Sequence, residues 1–263
     1  MSRVWNRLRT ERRNWIFRSL LNNWREASIA ARRHTLGVTL SLKNGMTIRG
    51  GERDDTVGIF HEIFVDRCYT PRWFYTPRPG QLVLDVGANI GIFSLFLHAV
   101  APSIRVVAFE PHPTTYGQLT RNLAENRLDA KVSSHQLAVA GGPGEVRFAL
   151  PSGPDEREFG HQAATSSGQG RSVPCIGLAE VLAMAGRAAV DLLKVDTEGA
   201  EAEIITNAPA AVWSEIARVV IEYHDHTKRD QVQRHLTEVG YQCHVVPARG
   251  FEHHLGLIYA YRP

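Results

Sequence analysis

From residue 80 onward the chain alternates short apolar runs with stretches of helical periodicity, and no other feature constrains its fold as tightly. The runs occupy residues 82–86, 104–109, 132–139, 190–195 and 219–223. Strands that are apolar along their whole length need cover on both faces, which a parallel sheet between two helical layers provides. Two further runs, at residues 241–246 and 257–261, are joined by a loop too short for a crossover helix and should pair antiparallel. The expected fold is therefore α/β, with a mostly parallel seven-stranded sheet and an antiparallel C-terminal pair filling residues 80–263.

Residues 1–79 read as a lead-in segment to that domain. Leu8, Ile16, Leu20, Trp24, Ala27 and Ala31 recur at helical steps over residues 5–31. Val38, Leu40 and Leu42 then alternate with polar residues before Asn44-Gly45, the signature of a hairpin with a two-residue turn. A second helical pattern carries Phe60, Ile63 and Phe64 and should end before Pro71. Nine Arg and two Glu up to Arg33 give this arm a local charge of +7, while the rest of the chain carries −4. The net charge of +3 is too balanced to signal nucleic-acid binding. The basic helix could touch an anionic membrane surface, but packing of its apolar stripe on the main domain is the expected role.

The chain has 263 residues, of which 43% are hydrophobic, enough for one packed domain plus an added segment. Its three cysteines, Cys68, Cys175 and Cys243, form no disulfide or zinc spacing, which suits a reducing, cytoplasmic location. The longest apolar stretch, residues 90–101, is interrupted and falls short of the ~18 residues a bilayer span needs. Arg recurs too often near the start for the apolar core of a secretory signal. Residues 151–170 read as a long polar loop.

The strongest local signal is Val83-Leu84-Asp85-Val86-Gly87-Ala88-Asn89-Ile90-Gly91, a strand running into a glycine turn that opens a helix. Small residues let a ligand approach the backbone, and the helix start offers free N–H donors. The three-glycine dinucleotide fingerprint is not matched. A carboxylate at Asp85 would repel a pyrophosphate but can receive an ammonium or sulfonium, so S-adenosylmethionine fits this turn better than a nicotinamide dinucleotide. Glu110 follows the second strand, 19 residues beyond Gly91, close to the ~20-residue offset at which an acid meets ribose hydroxyls.

The fourth strand delivers Lys194, Asp196 and Glu198 to its carboxyl end, where open α/β sheets place their ligands. The fifth ends in Glu222-Tyr223-His224. Asp196, Glu222 and His224 are the candidate acid/base groups, with the neutral form of His224 able to accept a hydroxyl proton and Lys194 steadying the acceptor or Asp196. The same three could hold a divalent metal, although direct acid/base chemistry is the preferred reading. Glu198 or Glu201 could instead serve only as a helix N-terminal charge. His253 and His254 lack ligand spacing and read as loop residues.

Taken together, residues 85–91, Phe109-Glu110-Pro111, Leu193-Lys194-Val195-Asp196-Thr197-Glu198-Gly199-Ala200-Glu201 and Ile221-Glu222-Tyr223-His224 closely resemble the FkbM-type methyltransferase family. Glu62-Ile63-Phe64 with Tyr69 is similar to a weaker segment ahead of that family's core. The resemblance implies a class I Rossmann-like fold, S-adenosylmethionine as cofactor, and methyl transfer to a hydroxyl of a sugar, glycolipid or natural product. It also implies that Leu137 and Ala138 border the adenine, beside Asp85, Gly87, Ala88, Asn89, Gly91 and Glu110 as cofactor residues. A nucleic-acid methyltransferase and a noncatalytic cofactor-binding module are the alternatives. The first lacks a base-flipping N-P-P-Y-type block after the fourth strand, and the second leaves the polar strand ends without a purpose.

Overall fold

The computed structural model describes residues 3–52, 54–149, 170–186, 189–248 and 255–262. The chain opens with helices α1 (Arg3–Leu20) and α2 (Trp24–Arg33), followed by a hairpin of β1 (Thr39–Ser41) and β2 (Thr47–Arg49). The expected single helix over residues 5–31 is broken because the chain pairs with the hairpin there: Leu21 bridges Leu42, and the Asn23 side chain bonds Thr39 O and Ser41 N. The hairpin loop has three residues between Leu42 and Met46, with Gly45 at φ 90°, instead of the expected two. Helix α3 (Thr56–Phe60), capped by Asp55, runs into a π-helical turn, His61–Asp66.

The main sheet contains β3 (Leu82–Val86), β4 (Arg105–Phe109), β5 (Val132–His135), β9 (Leu192–Val195), β10 (Arg218–Tyr223), β11 (Gln242–Pro247) and β12 (Gly256–Tyr261). Its order is β11-β12-β10-β9-β3-β4-β5, parallel from β10 to β5, with β12 antiparallel to both its neighbours. The strand order reverses between β3 and β9, the switch point where such sheets bind ligands. A separate three-stranded sheet, in the order β6-β8-β7, is formed by β6 (Ala138–Val139), β7 (Gly144–Ala149) and β8 (Gly170–Ile176). The expected strand over residues 132–139 is thus two strands in two sheets. The loop expected over residues 151–170 and the pair His253-His254 lie outside the described residues, save that Gly170 begins β8.

Alternate side chains of each strand enter different cores. Val83, Val106, Ala108, Leu192 and Val220 face α4 (Ile92–Val100), α5 (Pro113–Glu125) and the N-terminal segment. Leu84, Val86, Val107, Leu193 and Ile221 face α6 (Leu178–Met184), α7 (Glu201–Thr206), α8 (Ala210–Trp213) and α9 (His226–Glu238). Phe17 of α1 packs edge-on against Phe60, and both belong to the same apolar cluster as α4 and Tyr259. The N-terminal segment therefore completes one layer of the sandwich. Among the described residues, no helix is long and apolar enough to cross a membrane.

Asn122, fully buried on α5, fastens the hairpin to this layer by bonding Arg49 N, Arg49 O and Ile90 O at 2.8–3.0 Å. Asn122→Ala leaves these backbone groups without their partner, which costs about 1–3 kcal/mol for a buried unsatisfied group. Urea unfolding should show a loss of that size, and an unchanged midpoint would mean that the hairpin is held by its apolar contacts alone.

Candidate active site

The carboxyl ends of β3, β4, β9 and β10 surround one cavity of about 490 Å3, a volume suited to a nucleotide-sized ligand. Gly87 and Asn89 form one wall, at φ 76° and 50°. A Cβ at Gly87 would overlap the Asp196 carbonyl oxygen, so only glycine lets the first turn close on the end of β9. Gly91, at φ 86°, starts α4 in a backbone conformation that also favours glycine. Ala88 is buried, and neither it nor Gly91 lines the cavity.

Glu110 reaches the cavity from beyond β4, and its two oxygens accept from Asn89 N at 3.0 Å and His112 N at 2.9 Å. Burial pushes its carboxyl up to about 7 against these two hydrogen bonds. Each oxygen keeps a lone pair, so the ionised group can still accept from two hydroxyls, as a ribose requires. Leu137, Ala138 and Val139 supply an apolar wall next to it.

Asp85 departs from its expected role. It is fully buried, its carboxylate engages Ser94 Oγ at 3.1 Å and Lys194 Nζ at 3.2 Å, and it does not line the cavity. Its cationic partner is the neighbouring strand's lysine, brought opposite it by the β3–β9 register. Lys194 also donates to Gly87 O at 2.5 Å and lies 3.7 Å from Asp196. Burial alone would lower the ammonium, but Asp85 and then Asp196 outweigh it and raise the group further.

Asp196 lines the cavity, whereas Glu222 and Lys194 stand behind it. The Tyr69 hydroxyl lies 2.9 Å from both Asp196 Oδ2 and Glu222 Oε2. His224 lines the cavity too, with Nδ1 3.1 Å from Glu201 and Nε2 3.2 Å from Glu198. Burial opposes its charge, yet the hydrogen bond and charge of Glu201, followed by the charge of Glu198, push it up to about 9. At neutral pH the ring is therefore a cation, hydrogen-bonded to Glu201 through Nδ1 and ion-paired with Glu198 through Nε2, and no lone pair is left for the role of neutral base. Glu201 does more than complement a helix end: it is buried and also accepts from Thr197 N and Gly199 N.

Asp196, Glu198 and His224 bring one donor atom each within 4.8 Å of one another, so Glu198 takes the place expected for Glu222 in any ion-binding set. An ion there would have to displace Glu198 from the imidazole. The sequence does not reveal the contacts of Tyr69 with Asp196 and Glu222, or those of Glu198 and Glu201 with His224. Tyr69 stands far away in the chain, and Glu198 and Glu201 read as ordinary acids of a helix start.

The 3-2-1-4-5-7-6 order of the seven main strands, with a glycine turn after the first and an acid after the second, defines a class I S-adenosylmethionine-dependent methyltransferase. More narrowly, the chain belongs to the FkbM methyltransferase family, whose Methyltransferase FkbM domain matches residues 85–246. It is similar to the 31-O-demethyl-FK506 methyltransferase FkbM of Streptomyces tacrolimicus, at 33% identity over 71% of this chain and 82% of that protein. Methyltransferase sdnD of Sordaria araneosa is 30% identical over 70% of this chain and 81% of its own length. The crystal structure of Methyltransferase FkbM from Methylobacillus flagellatus KT shares the fold with a TM-score of 0.53 at 15% identity, over 72% of this chain. This chain spans only 45% of that longer protein.

An ionised carboxylate accepts hydroxyls better than a protonated one, so affinity for a ligand whose ribose meets Glu110 should be full above pH 7 and fall as pH drops through about 7. Calorimetric titration with S-adenosylhomocysteine should show this decline, steepening toward about tenfold per pH unit. Glu110→Gln should bind more weakly with no such step, and a step that persists in this variant would assign it to another group.

Proposed function

We propose that this protein transfers the methyl group of S-adenosylmethionine to a hydroxyl oxygen of a small hydroxylated acceptor, a sugar, glycolipid or natural product, with Asp196 taking the hydroxyl proton. The observation that carries this reading is Asp196 itself, the carboxylate at the cavity wall with Lys194 3.7 Å behind it and Tyr69 2.9 Å away. The acceptor class is supported by the similar Streptomyces protein, whose name specifies an oxygen as the methylated atom.

When bound, the cofactor supplies a methyl group already activated on a sulfonium. Glu110 and the Gly87–Asn89 turn would hold it by its ribose and backbone-facing parts, with Ala138 and Leu137 against the base. The chain's remaining work is to align the acceptor oxygen, exclude water and remove one proton. Asp196 accepts that proton as the new bond forms. His224, as a cation between Glu198 and Glu201, fixes the Glu198 carboxylate at the cavity wall, where it can accept from a second acceptor hydroxyl. Lys194, 3.7 Å away, sets a positive charge beside the Asp196 carboxylate. Cys68, Cys175 and Cys243 are all free thiols, which supports a reducing, cytoplasmic setting.

Asp196→Asn should lower kcat by roughly 10²-fold or more, the range for removal of a general base, while S-adenosylhomocysteine binds within a few-fold of wild type. Turnover of the wild-type protein with radiolabelled S-adenosylmethionine and a panel of hydroxylated acceptors provides the measurement. Full activity in Asp196→Asn would move the base elsewhere.

A further inference from the structure

We propose that Tyr69, contributed by the segment ahead of the family domain, is a positioning residue that holds one proton between itself and Glu222, so that Asp196 alone meets the acceptor as a charged carboxylate. The proposal rests on the reading of Asp196 as the proton acceptor. Its basis is a hydrogen-atom count. The Tyr69 hydroxyl has one hydrogen and stands 2.9 Å from two carboxyl oxygens, Asp196 Oδ2 and Glu222 Oε2. With both acids ionised, one of these contacts would set an oxygen lone pair against a carboxylate with no hydrogen between them, in a buried place. One added proton resolves the conflict: Glu222 donates to the Tyr69 oxygen, and Tyr69 donates to Asp196.

The surrounding charges fix where that proton sits. Lys194 lies 3.7 Å from Asp196 and over the Tyr69 ring, which favours the negative charge at Asp196. Glu222 is faced by Glu62, Cys68 and Tyr69 of the N-terminal segment, Lys194 of β9 and Asp196 just beyond it, His224 beyond its own strand, and Tyr259 of β12. Of the two cations, His224 is engaged by Glu198 and Glu201, and Lys194 by Asp85, Gly87 O and Asp196. Among the described residues no cation contacts Glu222, and burial, followed by the charge of Asp196, pushes its carboxyl up to about 8. Below that pH the acid stays neutral. Above it, a second negative charge appears behind Asp196, and the hydrogen-bonded chain loses its direction.

Tyr69→Phe and Glu222→Gln test this directly. Tyr69→Phe should lower kcat by roughly 10–100-fold while the KM for S-adenosylmethionine moves little, because the hydroxyl acts on Asp196 and not on the cofactor. Glu222→Gln keeps a neutral donor next to Tyr69. It should lose no more than about tenfold in kcat, against roughly a hundredfold for loss of an ionised base, and the alkaline decline near pH 8 should disappear from its profile. Difference infrared spectroscopy supplies a readout free of turnover: the wild-type protein at pH 7 should show the carbonyl band of a protonated carboxyl that is absent from Glu222→Gln. A Glu222→Gln enzyme as inactive as Asp196→Asn, or no such infrared band, would overturn the proposal. An unchanged kcat and pH profile in Tyr69→Phe would do the same. If the wild-type protein methylates no acceptor, the reading of Asp196 fails, and the infrared result still decides the protonation of Glu222.

Discussion

The buried contact between Lys194 and Asp85 is the interaction on which the site depends. Both side chains are removed from water, which carries a large desolvation cost unless charge and hydrogen bonds compensate. Compensation here is dense: Asp85 receives Ser94 and Lys194, and Lys194 reaches Gly87 O and Asp196 as well. The pair joins the first strand of the sheet to the fourth at the switch point, and it ties the glycine turn to the strand that carries Asp196. An apolar pair of similar volume could pack as tightly, but it would not place a positive charge 3.7 Å from Asp196. Specific placement, more than stability, is what this ion pair contributes.

The cavity built on that contact separates two electrostatic tasks. At one side Glu110 is surrounded by backbone N–H donors and apolar walls, an arrangement that suits hydroxyls beside a flat base. At the other, four acids and two cations interlock around Asp196, Glu198 and His224. Tyr69 enters this second group from the N-terminal segment, next to Phe93 and under the cover of the same apolar cluster as α4. The segment ahead of the family domain therefore supplies a side chain to the site as well as to the packing.

Much of this was legible in the sequence. Apolar strands reveal themselves because burial on both faces leaves no polar alternation, and the order of glycine turn, Glu110, Asp196 and His224 follows from where parallel strands end. What was hidden depends on partners distant in the chain. Asp85 reads identically whether it faces a ligand or a lysine; only the register opposite Lys194 decides. His224 reads as a neutral base until Glu198 and Glu201 close on it. Ser133 and Ser134 did not mark the point where the chain leaves the edge of the sheet, and Pro174, which cannot donate to a ladder, concealed β8. The break between α1 and α2 follows from Asn22 and Asn23 bonding a hairpin that the helical pattern alone does not reveal.

The most direct test of the account is a crystal structure of the protein with S-adenosylhomocysteine. Both ribose hydroxyls should lie on Glu110, with the base against Leu137 and Ala138, the sulfur turned toward Asp196, and Asp85 still bound to Lys194. A ribose held elsewhere, or an Asp85 released from Lys194 to bind the ligand's ammonium, would contradict it.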